Sequence, residues 1–532
     1  MKRFICLFLC LILIFCFCGC RQNPTNTSSN TENIQNELPL SDGGKTVSLL
    51  YSYSDSFNPY TAKTAANREI SSLLYDSLIK TDNNFEPIFV LASAAETVDK
   101  TCKVSLRDAT FTDGSRVSAD DVIYSYGLAK ASTRYMHNFY EVVSVSATDS
   151  KTVVFKLSQN DPFFANLLNF PILKSGTSGV TDADGKEIAP IGCGRYYLAE
   201  DGISFKLNQN YYGKKGSIET IKLINSPDAA STSHYVEVGA AAVYYTEGEE
   251  IVRMSGKKTE VNLNRLIYIG INNSYGSLQS REMRYAISSA LDREAICQTA
   301  YYNNAVAATG YFNPDFKPTK ALQSIDNKPN SKITVENLAK IGYNNMNSNG
   351  YYANAAGNNP AFTLLVNSEN ASRVAAAKAI AAQCKTAGMQ INVVECSYEQ
   401  YTARLASGSF QLYLGEVQIL DNMDMTQLVV PGGSAAFGVS VQKDSADSDA
   451  QNAENTDALQ SAQPLESSCE QILAAYHNGE CGIGDVAGTL LTEMPQIPIC
   501  FLNGVLFYDS AIKGGVEASS SDIYLKIENY EF

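Results

Sequence analysis

The sequence contains no tryptophan and only three histidines, His137, His234 and His477, in 532 residues. Those histidines stand far apart and no Cys-x-x-Cys pair accompanies them, so neither a structural zinc site nor any other metal or cofactor is expected. Catalytic signatures are missing as well. The chain has no H-E-x-x-H helix, no G-x-S-x-G elbow and no G-x-x-x-x-G-K-[ST] phosphate loop. Gly192-x-Gly194 lacks the third glycine and the strand-to-helix setting of a dinucleotide site. His477 and Cys481 share a segment without a visible partner, so an enzyme is not expected. A basic excess is also absent. The formal net charge of −15 excludes nucleic acid, whose phosphates demand a basic surface, and tight contact with anionic headgroups. Beyond the first twenty residues no apolar run is long enough to span a bilayer, which takes about 20 residues.

The N-terminus has what the body lacks. Lys2 and Arg3 precede a nearly unbroken apolar run from Phe4 to Phe17, and polar sequence begins at Arg21. A basic start, an apolar core and small residues before a cut site make a secretory signal, here residues 1–19. Phe17-Cys18-Gly19-Cys20 resembles the bacterial lipobox, with Phe17 in the usual Leu position and Cys18 in that of Ala or Ser. The resemblance implies that Cys20 is lipidated and becomes the new N-terminus, with two acyl chains sufficient for stable anchoring. An uncleaved signal anchor is the competing reading. Residues 20–44, rich in Asn, Ser, Thr and Glu, form a flexible tether. Of 13 cysteines, four leave with the signal, Cys20 would carry the lipid, and eight remain scattered through a body large enough not to need disulfides, which favours buried thiols.

Along the body, strand and helix periods alternate. Val47, Leu49, Tyr51 and Tyr53 alternate as a strand; Ile70, Leu73, Leu74 and Leu78 follow helical spacing. Cys102, Val104 and Leu106 predict a strand, and Thr112-Asp113-Gly114-Ser115 a turn. Ser118-Ala119-Asp120-Asp121 has the form of a capping box opening a helix through Val122, Tyr126 and Ala129. Further strands are predicted at Val153–Leu157, Ser204–Leu207, Thr220–Leu223 and Leu266–Ile269. Ser280 caps a helix carrying Met283, Ile287, Ala290, Leu291 and Glu294. Phe362–Val366, a helix from Val374 to Cys384 closed by Gly388, and Ile391–Val394 form a strand-helix-strand unit, followed by a short helix to Leu405 and the strand Leu412–Leu414. This alternation is α/β. Val441–Glu466, polar and without aromatics, reads as a mobile surface loop.

From Phe85 to Ser132 the chain resembles the family 5 extracellular solute-binding proteins, the oligopeptide-, dipeptide- and nickel-binding components of ABC importers. Pro87, Leu91-Ala92, Leu106-Arg107-Asp108, Phe111, Asp113-Gly114 and Ser118-Ala119-Asp120-Asp121-Val122 follow that family's order and spacing, with Ala109 in place of Gly. Phe57-Asn58-Pro59, Leu74-Tyr75-Asp76-Ser77-Leu78, Gly192-Cys193-Gly194-Arg195-Tyr196, Asn210-Tyr211-Tyr212, Arg284 to Arg293 and Pro495 to Pro498 extend the likeness over most of the chain. Departures are Gly239-Ala240-Ala241-Ala242, where many relatives carry an acid, Phe410-Gln411 in place of Phe-Asp, and the missing tryptophan, for which 31 tyrosines can substitute.

The resemblance implies a type II periplasmic-binding fold: two lobes joined by a hinge, plus an extra domain. Domain I would comprise 45–66, 190–260 and 498–532, domain II 67–189, and domain III 261–497. Ligand would lie between domains I and III and be enclosed by closure about the crossing strands. The implied function is capture of a peptide or peptide-like solute by a monomeric, lipid-anchored protein outside the cytoplasmic membrane, and its delivery to ABC permease subunits. A sensor presenting its closed form to a receptor, or a binder of a nickel chelate or oligosaccharide, are the alternatives. Gly415 to Asp424 lies where peptide-binding relatives place their amino-binding acid, so Asp424 and then Asp421 are the candidates for a ligand ammonium; an exposed loop acid is the competing reading for each. Arg404 offers bidentate binding to a carboxylate, against a solvated helix face. Tyr75 and Asn272 complete the candidate set, against a core role for the first and a backbone bond near the hinge for the second. Asp120 and Asp121 read as cap residues rather than a catalytic pair.

Overall fold

Alternating Val47, Leu49 and Tyr51 bury one side of β1 (Thr46–Tyr51), and the six-residue α1 (Ala65–Ile70) follows. The computed structural model describes residues 44–247, 254–322, 324–439 and 468–532. The expected signal peptide, Cys20, the tether up to residue 43 and the loop 441–466 lie outside the described residues. Helical spacing across Ile70–Leu78 does not yield one helix. α1 gives way to a single 3₁₀ turn at Ser71–Leu73. The reason is local: Ser71 Oγ donates to the Arg68 carbonyl at 2.6 Å and Ser72 Oγ to that of Glu69 at 2.9 Å, bonds that compete with helix propagation.

Next comes a four-stranded antiparallel sheet of β2 (Ala92–Val98), β3 (Thr101–Leu106), β4 (Val142–Asp149) and β5 (Thr152–Leu157), in the order β2-β3-β5-β4. Helix α2 (Ala119–Ala131) packs on it through Val122 and Ala129, against Val153 and Phe155. At its start the Asp121 carboxylate accepts from the Ser118 amide (2.9 Å) and hydroxyl (2.7 Å), in the capping role read from the sequence. Strands β6 (Tyr196–Leu198), β7 (Ser204–Leu207) and β8 (Thr220–Asn225) then return the chain to β1. β8 pairs with β1 in parallel, giving the order β1-β8-β7-β6.

The Gly192-Cys193-Gly194 step is a packing device. A side chain on Gly192 or Gly194 would meet the Leu74 carbonyl oxygen at 2.2 or 2.5 Å, and the Gly194 amide donates to that same oxygen at 2.9 Å. Only glycine permits this approach.

The remaining chain builds a seven-stranded mixed sheet. Its members are β9 (Val243–Thr246), β10 (Lys257–Ile271), β11 (Ala305–Ala307), β12 (Ala361–Asn367), β13 (Gln390–Cys396), β14 (Leu412–Gln418) and β15 (Ile497–Tyr508). The order is β9-β15-β10-β14-β12-β13, with β11 beside β15. Helices α3 (Arg281–Ser289) and α4 (Arg293–Ala300) lie between β10 and β11, whereas β12 pairs in parallel with β13 across α5 (Ala371–Thr386) and with β14, which follows α6 (Tyr398–Ala406). Two differences from the sequence reading stand out. Leu266–Ile269 is the middle of a 15-residue strand. The expected single helix from Ser280 is broken at Asp292, whose carboxylate accepts from the Ala295 amide at 2.9 Å and caps α4 anew.

β10 and β15 pair from Lys257–Tyr508 to Ile269–Ile497, the whole of β15 and all but the last two residues of β10, with register shifts between Asn262 and Arg265 and between Ile267 and Tyr268. Pro498, which has no N–H for a central strand, sits at the second shift. At the first, Asn264 adopts φ +50°, a left-handed conformation that asparagine tolerates better than other side-chain residues. Its amide donates to Asn262 Oδ1 at 3.1 Å, and its Nδ2 donates to the Ile419 carbonyl at 3.1 Å.

Two motif arginines are interior. Arg284 donates to the carbonyls of Leu278, Gln279 and Glu493. Arg293, with no exposed surface, donates to Pro498, Ser288 and Asp326 carbonyls and to Ser288 Oγ. Burial pushes the Arg293 guanidinium down to about 10. All eight body cysteines are free thiols, seven of them buried. No helix among the described residues is long and apolar enough to cross a membrane.

Candidate ligand-binding cleft

A cavity of about 330 Å³ opens where α1, the segment after α2, the large sheet and the C-terminal segment meet. Its walls carry charges of both signs. Arg68 and Glu69 come from α1, Arg134 and Tyr135 from beyond α2, Tyr245 and Glu247 from β9 and its exit. Leu263 and Arg265 flank the β10 bulge, Gln418 ends β14 and Ile419 to Asp421 follow it, and Ser520, Ser521 and Ile523 close the C-terminal side.

Local chemistry fixes each contributor. α1 is pinned from its opposite face: buried Asn67 accepts the Ser52 amide at 2.7 Å and donates to the Ser52 and Ser56 carbonyls. That anchoring leaves the next two residues on the cavity wall. Tyr135 is buried edge-on against Tyr60, with ring centroids 5.8 Å apart, and the Arg134 guanidinium lies 5.3 Å from the Tyr135 ring centre. The bulge in β10 turns Arg265 toward the cavity, as bulges beside sites commonly do. Across the strand pair Gln418 Nε2 donates to the Leu263 carbonyl at 2.7 Å. Ser521 Oγ donates to the Thr81 carbonyl at 2.9 Å, tying the C-terminal segment to residues just past α1.

The charges fall into two groups. Arg265 contacts Glu247 at 2.8 Å and Glu416 at 3.6 Å, and Arg373 also bonds Glu416. Two cations and two anions thus close a network of their own. Glu69 and Arg134, by contrast, have side chains that enter no hydrogen bond or ion pair among the described residues. Burial raises the Glu69 carboxyl above its ordinary value, against the lowering pull of Arg134 and Arg68. Asp421 is 9% exposed, and its Oδ2 accepts from Thr81 Oγ1 at 2.6 Å. Burial pushes it up to about 6, opposed by that hydrogen bond.

Of the residues singled out from the sequence, Asp421 alone lines this cavity. Asp424 accepts from the Thr426 amide (2.9 Å) and hydroxyl (2.6 Å) and lies 3.6 Å from His477 Nε2. Burial would raise its carboxyl, but the His477 and Thr426 bonds outweigh burial and hold it below the ordinary value. Arg404 is exposed on α6. Tyr75 is 2% exposed and donates to the Pro190 carbonyl at 3.1 Å. Asn272 follows β10 and donates to the Phe410 carbonyl at 3.1 Å. Asp76, a motif residue, accepts from Tyr211 (2.9 Å) and Tyr212 (2.6 Å) and so joins two segments of the likeness to each other. Sequence reasoning missed Arg68, Glu69, Arg134, Glu247 and Arg265; no spacing or motif marks them. Among the described residues no group of three or more His, Cys, Asp or Glu side chains could hold a metal ion.

Comparison with known proteins agrees with this architecture. The family described as bacterial extracellular solute-binding proteins, family 5 Middle, matches residues 86–436. Oligopeptide-binding protein AppA of Bacillus subtilis is 25% identical over 368 residues, covering 64% of this chain and 67% of the relative. The Dipeptide-binding protein of Escherichia coli is 25% identical over 309 residues, 49% of this chain and 56% of that one. The matches thus span between about half and two thirds of these curated relatives. NikA from Brucella suis in complex with Fe(III)-EDTA superimposes with a TM-score of 0.65 at 17% identity, covering 91% of this chain and 99% of that one. The type II periplasmic-binding architecture implied by the sequence motifs is the one observed. The chain belongs to the bacterial extracellular solute-binding proteins of family 5.

Proposed function

We propose that this protein captures peptides outside the bacterial cytoplasm and hands them to the permease of an ABC importer, without chemical turnover. The observation that carries the reading is the 330 Å³ cleft beside the long β10–β15 pair, with unpaired charges of both signs on its wall. A peptide presents an ammonium, a carboxylate and a polar backbone, and cavities of about 300–1,000 Å³ with a few placed polar groups suit such ligands. Relatives named for oligopeptide and dipeptide binding support the same class. In this reading 45–66, 190–260 and 498–532 form one lobe, 261–497 the other and 67–189 the extra domain, with closure about β10 and β15. Cys20 carries the lipid that holds the protein at the outer face of the membrane.

A thermal-shift screen tests the proposal. Ligand at 100 times its dissociation constant adds about 2.7 kcal/mol of stability, so di- to hexapeptides should raise the melting temperature while oligosaccharides should not. Silence from every peptide would refute it. The likeness to NikA with Fe(III)-EDTA favours one second reading, a metal chelate whose carboxylates meet the cleft arginines; nickel chelates belong in the same screen.

A further inference from the structure

Glu69 and Arg134 face one cavity from different segments. Each lies in the other's electrostatic field, since Arg134 is among the groups acting on the Glu69 carboxyl and the reverse also holds. Yet neither makes an ion pair with the other or with any other described residue. Arg68 differs, because its Nη1 already donates to the Lys63 carbonyl at 3.2 Å. Arg265 and Glu247 satisfy one another. Asp421 already accepts from Thr81. Glu69 is half-buried, so its carboxylate loses hydration that no described side chain replaces, while the exposed Arg134 guanidinium is held by water alone; a ligand that pairs with both restores the first and uses the second.

We infer that Glu69 and Arg134 are the two poles of the binding site, Glu69 accepting the ligand ammonium and Arg134 the ligand carboxylate, and that the ligand is a short zwitterionic peptide spanning them. The inference rests on the peptide reading above and assigns its specificity. It places the ammonium-binding acid on α1 rather than in the segment 415–424. A cavity of about 330 Å³ stands at the small end of the ligand-pocket range, which matches a dipeptide or tripeptide rather than a long chain. Arg134 is solvent-accessible, so an incoming carboxylate can reach it before the cleft closes.

The experiment is titration calorimetry on the full chain with the dipeptide Phe-Ala, its N-acetyl form and its C-terminal amide. Wild type should bind Phe-Ala at least about tenfold more tightly than either blocked form, the lower end expected for a desolvated charge pair. Glu69→Gln should weaken Phe-Ala by a similar factor and leave the acetylated peptide unchanged. Arg134→Gln should weaken Phe-Ala and leave the amide unchanged. Melting curves of both variants superimposable on wild type establish that they fold; should either fail to fold, Glu69→Asp and Arg134→Lys provide the same ligand comparison with the charge retracted. Peptide binding by wild type with equal losses, or none, for free and blocked peptides overturns the inference and leaves the peptide reading standing. No binding of any peptide by wild type overturns both.

Discussion

Asp421→Asn is expected to stabilise the protein, and to do so in a pH-dependent manner. Burial raises the Asp421 carboxyl from 3.8 to about 6, so between those values the folded protein binds a proton that the unfolded chain has released. Stability from this group is therefore greatest below pH 4 and is lost as pH climbs through 6. Each pH unit of separation corresponds to about 1.36 kcal/mol. The ionised form thus costs about 3 kcal/mol at pH 8, and about 1 kcal/mol at pH 4.5, where only the unfolded carboxylate is mainly ionised. Asparagine keeps an oxygen for the Thr81 hydroxyl, which lies 2.6 Å away, and removes the charge. With an unfolding entropy of about 2.1 cal/mol/K per residue, a chain of this length has a slope near 1 kcal/mol/K. The melting temperature should rise by about 3 °C at pH 8 and by about 1 °C at pH 4.5. Scanning calorimetry of the ligand-free protein at both pH values provides the check. An equal shift at the two pH values, or destabilisation at both, would refute the argument that burial of this carboxylate is what costs free energy.

Arg293→Met should lower stability by about 3–5 kcal/mol, because the carbonyls of Pro498, Ser288 and Asp326 lose their donor in the interior; a melting temperature within error of wild type would exclude a structural role for this guanidinium. Cys20→Ser should abolish incorporation of labelled fatty acid and release the protein into the medium or periplasm. Equal label in both proteins would remove the anchor from the functional reading.

Much of the architecture was legible because it is periodic. β3 and β5 show the expected alternation, with Cys102, Val104, Val153 and Phe155 fully buried, and the β12-α5-β13-α6-β14 run follows its apolar spacing almost residue for residue. Failures came where a polar side chain redirected the backbone. Ser71 and Ser72 cut short the helix at Ile70, and Asp292 recapped a helix that its apolar stripe would have continued. Long β10 was read only in part, because its bulge at Asn262–Arg265 breaks the two-residue period that reveals a strand.

The cleft was far less legible, and the reason lies in what the motifs are for. Residues that carry the family likeness are spent on the interior: Asp76 on two tyrosine hydroxyls, Arg284 and Arg293 on backbone carbonyls, Gly192 and Gly194 on approach to Leu74. Such positions tolerate few alternatives, since an unpaired buried group or a clash destabilises the fold, and so they form recognisable patterns. A ligand pole is the opposite case. It must leave a charge without an internal partner, and in a sequence an unpaired Glu69 or Arg134 looks like any solvated surface charge. Only when α1, the segment after α2, the β10 bulge and the β14 exit converge on one cavity does their lack of partners distinguish them. The pattern that identifies the fold is therefore largely blind to the ligand, and reading the ligand requires the unpaired charges of the assembled cleft.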